Sequence, residues 1–347
     1  MKSNKLVAYF IIFLESLYGI TYYLFKRSST RTIYIKMVRA HCVTNGLSTE
    51  IVNRVVNFIE EHLYKKWTVC AEPSEKILST TANENEETQE LIKCLKNDGY
   101  AIDAKKLDSR IVMNIHAAER KLTGQLLDIN NMYSENITLD EAKNSNPVRL
   151  LYYPDSIIEH CVDLEQIAKS AYFLGIAEMF LGTAPKLDTI VMWRSFVSEL
   201  SEELIDEAAQ SYHFDLDRLS WLKIFIYLTD VDTLSGPHCY VRGSHRRTNE
   251  RANLLNKGYV RISDEDIYDQ YSEQDIKCVV GSAGTIIYGN TKCFHKGEQP
   301  KNHERLVLEL QYTSNNYGAQ PLRFKNRRMV KEIFLSSKSN PRAFEYL

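Results

Sequence analysis

Hydrophobic residues follow two different patterns along the chain, and the first of them is helical. Over 48–66 the apolar residues recur every three or four positions, which predicts an amphipathic helix with one solvated face. The same spacing predicts helices near 90–97 and 109–122, and a longer helix over 163–182 that ends at Gly182. The N-terminal half is therefore expected to supply mostly helices.

After residue 186 the pattern changes to short runs of β-branched and aromatic residues. These runs are separated by Gly, Pro, Asn and Asp, which is typical of an antiparallel sandwich or barrel. In order they read TIVMW, WLKIFIYLTDV, HCYV, KCVV, GTIIYG and RLVLELQY. The sequence thus predicts a mostly β core with flanking helices, an α+β protein.

The N-terminal segment 6–25 is apolar and has Glu15 as its only charge. Its length suffices to span a bilayer, but a central carboxylate makes insertion only marginally favourable. Three interpretations stay open. The segment could be a membrane anchor, and the basic residues that follow it would then keep the main body in the cytoplasm. It could instead be a helix docked on the domain, or an extension upstream of a chain that starts at Met37.

These patterns divide the chain into three parts. Residues 1–36 form the apolar segment, a candidate membrane anchor, and 37–90 comprise a helix and a polar linker. Residues 91–347 form the main domain, with its β core at about 187–318.

Composition excludes some classes of function. The chain has 43 basic and 45 acidic residues, which disfavours binding to nucleic acid through a basic surface and favours a small-molecule partner. Its seven cysteines include no C-x-x-C pair, so a reducing compartment such as the cytoplasm fits best. No glycine-rich phosphate loop or dinucleotide fingerprint is present.

Candidate chemistry begins at His213 and Asp215. In an extended segment these two side chains point to the same side, so both could reach one metal ion. His295 follows on a later β run, and Arg305 opens the last one. Two histidines and one carboxylate form the facial triad of non-haem Fe(II) oxygenases, and a buried arginine suits a carboxylate ligand. His303 near Arg305 is expected to lie in a loop.

A competing metal site would combine His238 or His245 with Asp230 or Asp232. That set lacks an arginine at a fitting distance, and the two aspartates are better explained as turn and strand-end residues.

Four further residues near the proposed metal segment could line a substrate pocket, although packing is the favoured role for each. They are Gln210, Tyr212, Lys223 and Trp193.

Several ordered segments resemble the phytanoyl-CoA dioxygenase family of Fe(II)- and 2-oxoglutarate-dependent oxygenases. They are YHFD, LKIFIYLTDVD, SGPHCYVRGSH, GTIIYGNTKCFHKG and the segment that begins at Arg305, all within 210–312, with a weaker similarity in LIKCLKNDGYAID. The resemblance implies a double-stranded β-helix, the jelly-roll fold of cupins, for the domain at 91–347. Arg242 and Asn290 depart from the pattern, since relatives often carry proline and an acid there.

The resemblance also implies roles for individual residues. His213, Asp215 and His295 would hold Fe(II), and Arg305 would bind the distal carboxylate of 2-oxoglutarate. With O2 the expected reaction is hydroxylation of a small molecule, lipid-like or acyl among other classes, with release of succinate and CO2. Halogenating relatives have a small residue where this chain has Asp215, which favours hydroxylation.

Two alternatives stay open. One is a cupin-like metalloprotein without 2-oxoglutarate turnover, against which Arg305 counts. The other is a non-catalytic binding protein of the same fold that is tethered to a membrane. The sequence indicates neither the substrate nor the oligomeric state.

Overall fold

The computed structural model describes residues 2–26, 30–63, 78, 84–128, 133–145, 148–153, 157, 160–197, 211–315 and 317–318. Helices dominate as far as residue 181. They are α1 (Lys2–Lys26), α2 (Arg31–Val43), α3 (Leu47–Leu63), α4 (Glu84–Asp98), α5 (Ser109–Glu119), α6 (Leu139–Asn144), α7 (Val162–Ala168) and α8 (Ala171–Leu181), followed later by α9 (Asn249–Leu255) and α10 (Asp264–Tyr268).

The strands form two antiparallel sheets. They are β1 (Tyr100–Lys106), β2 (Thr123–Asp128), β3 (Tyr133–Thr138), β4 (Val148–Tyr153), β5 (Lys186–Ser195), β6 (Trp221–Tyr227), β7 (His238–Val241), β8 (Ile276–Val279), β9 (Thr285–Gly289), β10 (His295–Gly297) and β11 (Arg305–Thr313). The large sheet has the order β1-β9-β6-β11-β5-β4-β2-β3, and the small sheet has the order β10-β7-β8.

Side chains from both sheets meet in one apolar cluster between them. Phe225 and Tyr227 of β6 contribute from the large sheet, and Tyr240 of β7 contributes from the small sheet. The alternate residues of β6, Ile224 and Ile226, face a second core on the other side of the large sheet. This arrangement of a large and a small antiparallel sheet around a shared interior is the double-stranded β-helix that the sequence predicted.

Helices cover the two outer faces. The first cluster joins α4, α5, α7 and α8 to the outer face of the large sheet. Another cluster joins α1, α2 and α3 to the segment 212–221, α9 and α10. The predicted single helix over 163–182 is divided at Lys169, where Tyr312 donates a hydrogen bond to the carbonyl oxygen of Ala168.

Some boundaries differ from those expected. Strands β1 to β4 join the large sheet, so the β structure begins well before residue 187. The expected division at 36/37 falls inside α2, where Met37 is buried. Much of the predicted polar linker and the end of the predicted helix over 48–66 lie outside the described residues.

Two features concern the cysteines and the N-terminal helix. Cys239 and Cys278, directly opposite one another on β7 and β8, are joined by a disulfide bond. The sequence predicted reduced thiols and did not indicate this pair. Among the described helices, α1 contains one segment, Ala8–Phe25, that is long and apolar enough to cross a bilayer.

Candidate metal centre

The segment that carries His213 adds to the edge of the small sheet. The backbone amide of His213 donates to the carbonyl oxygen of His295 at 3.0 Å, and the amide of His295 donates back at 2.8 Å. Asp215 is held two residues later by an amide hydrogen bond to the carbonyl oxygen of Thr291. Isolated bridges hold this extended segment in place of a regular strand, and they direct His213 and Asp215 to the same side.

Three side chains converge from these two segments. Nε2 of His213 lies 3.8 Å from Oδ1 of Asp215, and Nε2 of His295 lies 3.6 Å from Oδ2 of the same carboxylate. The two imidazole rings are 4.3 Å apart between centroids. One ligand atom from each residue lies within 4.8 Å of the others, which matches the requirement for a shared metal ion.

Backbone contacts fix the orientation of both imidazole rings. Nδ1 of His213 lies 3.0 Å from the carbonyl oxygen of Ser211, and Nδ1 of His295 lies 2.9 Å from that of Cys293. Because a carbonyl oxygen can only accept, Nδ1 must carry the proton in each ring. The lone pair of each Nε2 is thereby free and faces Asp215, as expected for histidines that bind a metal.

Burial and neighbouring charges favour the ligand forms of the three residues. Burial lowers the pKa of His213 and of His295, so both imidazoles are neutral near pH 7. Burial alone would raise the pKa of Asp215, but Lys223 and then the two histidines outweigh it and lower that pKa. Two neutral imidazoles and one carboxylate suit a divalent cation such as Fe(II).

Lys223 is the nearest cation to this group. Its Nζ lies 3.0 Å from Oδ2 of Asp215, 3.3 Å from Oε1 of Glu309 and 3.8 Å from Oδ2 of Asp217. Burial opposes the charge of Lys223, but its three carboxylate neighbours raise its pKa well above the ordinary value. The sequence favoured a packing role for Lys223, whereas the structure places it against a candidate metal ligand.

Arg305 lies at the start of β11 and is buried. Its Nε and Nη1 have no hydrogen-bond partner among the described residues. Gly297 of β10 lies beside the guanidinium, and a Cβ at that position would come within 3.3 Å of Nη2. A buried guanidinium with two unpaired donors fits a carboxylate ligand.

Two polar groups of β7 share the interior with Arg305; the sequence indicated His238 only for the competing metal site and did not indicate Tyr240 as a site residue. Nδ1 of His238 and the hydroxyl of Tyr240 are buried without a hydrogen-bond partner in the described part of the chain. Alternation along β7 puts both residues on one face, and this spacing in the sequence could have indicated that they face the same interior. The His238 ring lies 4.3 Å from that of Phe225, and Trp193 lies 6.5 Å from it.

The remaining candidates lie elsewhere. Asp230 accepts a hydrogen bond from the amide of Ala283, and Asp232 accepts from Leu234 and Ser235, so both stabilise turns as predicted. Nε2 of His245 lies 2.9 Å from the carbonyl oxygen of Lys96.

Tyr212 faces away from the metal group. It is buried in the cluster beneath the N-terminal helices. Gln210 lies outside the described residues.

The fold and the converging side chains define a class: a double-stranded β-helix protein with a facial arrangement of two histidines and one carboxylate. The family model for phytanoyl-CoA dioxygenase (PhyH) matches residues 89–305. The chain belongs to this family, whose members use Fe(II), 2-oxoglutarate and O2. Its general function is accordingly that of an Fe(II)/2-oxoglutarate oxygenase-like enzyme.

Solved structures with a similar fold include three oxygenase-type proteins. EctD from S. alaskensis with bound Fe is 17% identical, with 73% of this chain and 84% of that chain covered and a TM-score of 0.46. HygX from Streptomyces hygroscopicus with nickel, 2-oxoglutarate and hygromycin B bound is 14% identical, with coverages of 65% and 86% and a TM-score of 0.43. The 2-oxoglutarate-dependent carbocyclase SnoK from nogalamycin biosynthesis is 15% identical, with coverages of 67% and 87% and a TM-score of 0.44.

These TM-scores lie below 0.5, so the assignment rests on the family model and not on these structures. No curated protein matches the chain.

Proposed function

We propose that the chain is an Fe(II)- and 2-oxoglutarate-dependent hydroxylase of a small molecule. His213, Asp215 and His295 would hold the iron, and Arg305 would bind the distal carboxylate of 2-oxoglutarate. The observation that carries this proposal is the convergence of two free imidazole Nε2 atoms on one carboxylate inside the fold. The unpaired donors of Arg305 in the same interior support the cosubstrate assignment.

Neighbouring groups would hold the three metal-binding side chains in position before the substrate binds. The carbonyl oxygens of Ser211 and Cys293 hold both imidazoles with Nε2 inward. Lys223 holds Oδ2 of Asp215, the oxygen that also faces Nε2 of His295. Bound iron would supply the activation of O2 that drives oxidation of a substrate C–H bond, with conversion of 2-oxoglutarate to succinate and CO2.

The interior supports an apolar or mixed substrate, lipid-like or acyl compounds among them. Phe225, Tyr227 and Tyr240 form the apolar cluster between the sheets, and Trp193 and Tyr100 pack against it. Such aromatic surfaces bind apolar groups and exclude water. The hydroxyl of Tyr240 and Nδ1 of His238 would orient a polar group of the substrate or cosubstrate.

The proposed domain organisation follows from the same assignment. The oxygenase domain would comprise residues 91–347, with the β-helix core at about 187–318 extended by the strands from β1 to β4. The segments at 1–36 and 37–90 would contribute helices α1, α2 and α3, which pack on this domain. The proposed location is the cytoplasm. Among the described cysteines, four are free thiols, at positions 42, 94, 161 and 293, and the Cys239–Cys278 disulfide runs against the general tendency of that compartment.

The test is an anaerobic titration of the purified full-length chain with Fe(II) and then with 2-oxoglutarate. A visible charge-transfer band should appear only when the 2-oxo acid chelates the iron. His213→Ala should abolish the band. His303→Ala is a matched control, because His303 is an exposed loop residue, and it should leave the band unchanged.

Arg305→Met separates the cosubstrate role from the metal role. We expect it to retain Fe(II) but to weaken 2-oxoglutarate binding by about 100-fold, because a buried hydrogen-bonded charge pair contributes roughly 2–5 kcal/mol. Iron binding without the band in the wild type would favour the cupin-like alternative. No iron binding would favour the non-catalytic binding protein.

A further inference from the structure

Helix α1 presents apolar side chains on two opposite faces. Its inner face packs on the protein through Ile12, Gly19 and Tyr23, and a side chain at position 19 would collide with the ring of Tyr317. Its outer face is exposed and is also apolar. That outer face consists of Tyr9, Phe10, Ile11, Phe13, Leu14, Leu17, Tyr18 and Phe25.

The neighbouring helices extend this exposed apolar layer. Both α2 and α3 pack against α1. Ile35 of α2 is exposed, and α3 exposes Ile51, Val55 and Phe58, which lie at helical spacing on one face. Contiguous exposed apolar surfaces of this kind mark interaction sites with proteins or membranes.

The packing of α1 argues against a helix that crosses the bilayer. Glu15 lies 3.6 Å from Nζ of Lys36 on α2, and Tyr23 is buried with its ring 5.6 Å from that of Tyr317. A spanning orientation would break both contacts and move the Glu15 carboxylate into hydrocarbon. An orientation parallel to the membrane keeps both contacts and buries only the outer face.

The distribution of charge indicates what covers this face. Residues 1–43 contain seven basic residues and one acidic residue, and residues 319–347 contain seven basic residues and two acidic residues. The whole chain has 43 basic and 45 acidic residues, so the remainder is strongly acidic. Tyr317, which precedes the basic stretch in the sequence, contacts Tyr23.

We propose that the outer face of α1 lies flat on an anionic lipid bilayer while its inner face stays docked on the domain. Basic termini attract anionic headgroups, and exposed Tyr and Phe side chains suit the interface between water and hydrocarbon. A second copy of this chain would bring two N-terminal segments of basic composition together, which charge repulsion opposes. The proposal concerns the position of the protein and is independent of the proposed catalysis.

The test measures sedimentation of the full-length chain with vesicles. The protein should pellet with vesicles that contain phosphatidylserine, pellet less with pure phosphatidylcholine, and be released by high salt or alkaline carbonate. The double variant Phe13→Ser/Leu17→Ser should reduce binding to the anionic vesicles by about tenfold or more, because two apolar side chains leave the lipid.

The matched control is Met113→Ser/Val162→Ser, which removes two equally exposed apolar side chains from α5 and α7. It should bind vesicles as the wild type does. Three results would overturn the proposal: no binding to anionic vesicles, binding that resists alkaline carbonate as a spanning helix would, or equal loss in both double variants. Dimerisation that disappears in Phe13→Ser/Leu17→Ser, without vesicle binding, would show that a second copy covers this face.

Discussion

Lys223 contacts the candidate metal centre through Asp215. Its ammonium group lies between Asp215 and Glu309, two carboxylates from different segments of the fold. A buried carboxylate without a cation would be costly, and burial indeed raises the pKa of Glu309. We infer that Lys223 is a positioning residue, because it fixes the oxygen of Asp215 that does not face His213.

We predict that Lys223→Met weakens metal binding by about 10- to 100-fold, the usual effect of losing a group that orients a metal ligand. The measurement is an anaerobic absorption titration with Co(II) as a substitute for Fe(II), which does not depend on turnover. Lys223→Met/Glu309→Gln is the control, since it also removes the negative charge of Glu309, which would otherwise have lost its cationic partner. Wild-type affinity in this double variant would show that Glu309, and not the orientation of Asp215, caused the loss.

At the scale of elements, a buried ion pair attaches α5 to the large sheet. Glu119 at the end of α5 accepts hydrogen bonds from Nε of Arg194 at 2.8 Å and from Nη2 at 2.6 Å, and the hydroxyl of Tyr153 donates to it at 3.1 Å. Nη1 of Arg194 also reaches Glu304 at 3.2 Å. The two acids differ in burial, because Glu119 is almost fully buried and Glu304 is partly exposed.

Glu119→Gln should lower the free energy of unfolding by about 3 kcal/mol, because the buried guanidinium of Arg194 loses the negative charge of its most buried partner. Glu304→Gln removes an acid from the same guanidinium at a solvated position and should cost about 1 kcal/mol or less. Urea denaturation monitored by circular dichroism measures both. Equal costs for the two variants would contradict the view that burial decides the contribution of this pair.

At the scale of the whole molecule, α1 belongs to the folded domain. Tyr23 is 1% exposed and lies in the same apolar cluster as Phe214, the residue between His213 and Asp215. In that cluster, Arg251 of α9 lies over the ring of Phe214 and contacts Nε2 of His41 on α2. The N-terminal helices therefore support the back of the metal-binding segment.

Tyr23→Ala should destabilise the protein by about 3–5 kcal/mol, the range for large aromatic residues removed from a core. Tyr18→Ala is the matched control, since Tyr18 is 56% exposed on the outer face of α1, and it should cost less than about 0.5 kcal/mol in solution. Chemical denaturation without lipid measures the difference. Similar stability of the two variants would mean that α1 is not docked on the domain in solution.

The sequence by itself determined the β-rich half, most of the strands that build it and the family. Strands β5, β6, β9 and β11 coincide with β-branched and aromatic runs, because strands buried on both faces require such residues. The four candidate site residues could also be selected from motifs, since H-x-D geometry is local. Strands β2, β3 and β4 were not predicted, because polar edge strands such as β3 lack a strong pattern and gain stability only from their neighbours.

Only the tertiary structure decided which groups meet. Nothing in the local sequence places Lys223 against Asp215, because that contact depends on the pairing of β6 with β9 and on the hydrogen bond from Asp215 to Thr291 just beyond β9. The contact of Glu309 with Lys223 depends on the pairing of β6 with β11. The same holds for the disulfide bond, which depends on the register of β7 and β8. The apolar pattern of α1 could not distinguish a spanning helix from a docked one, because hydropathy measures the apolar content of a helix and does not show whether one of its faces packs against the protein.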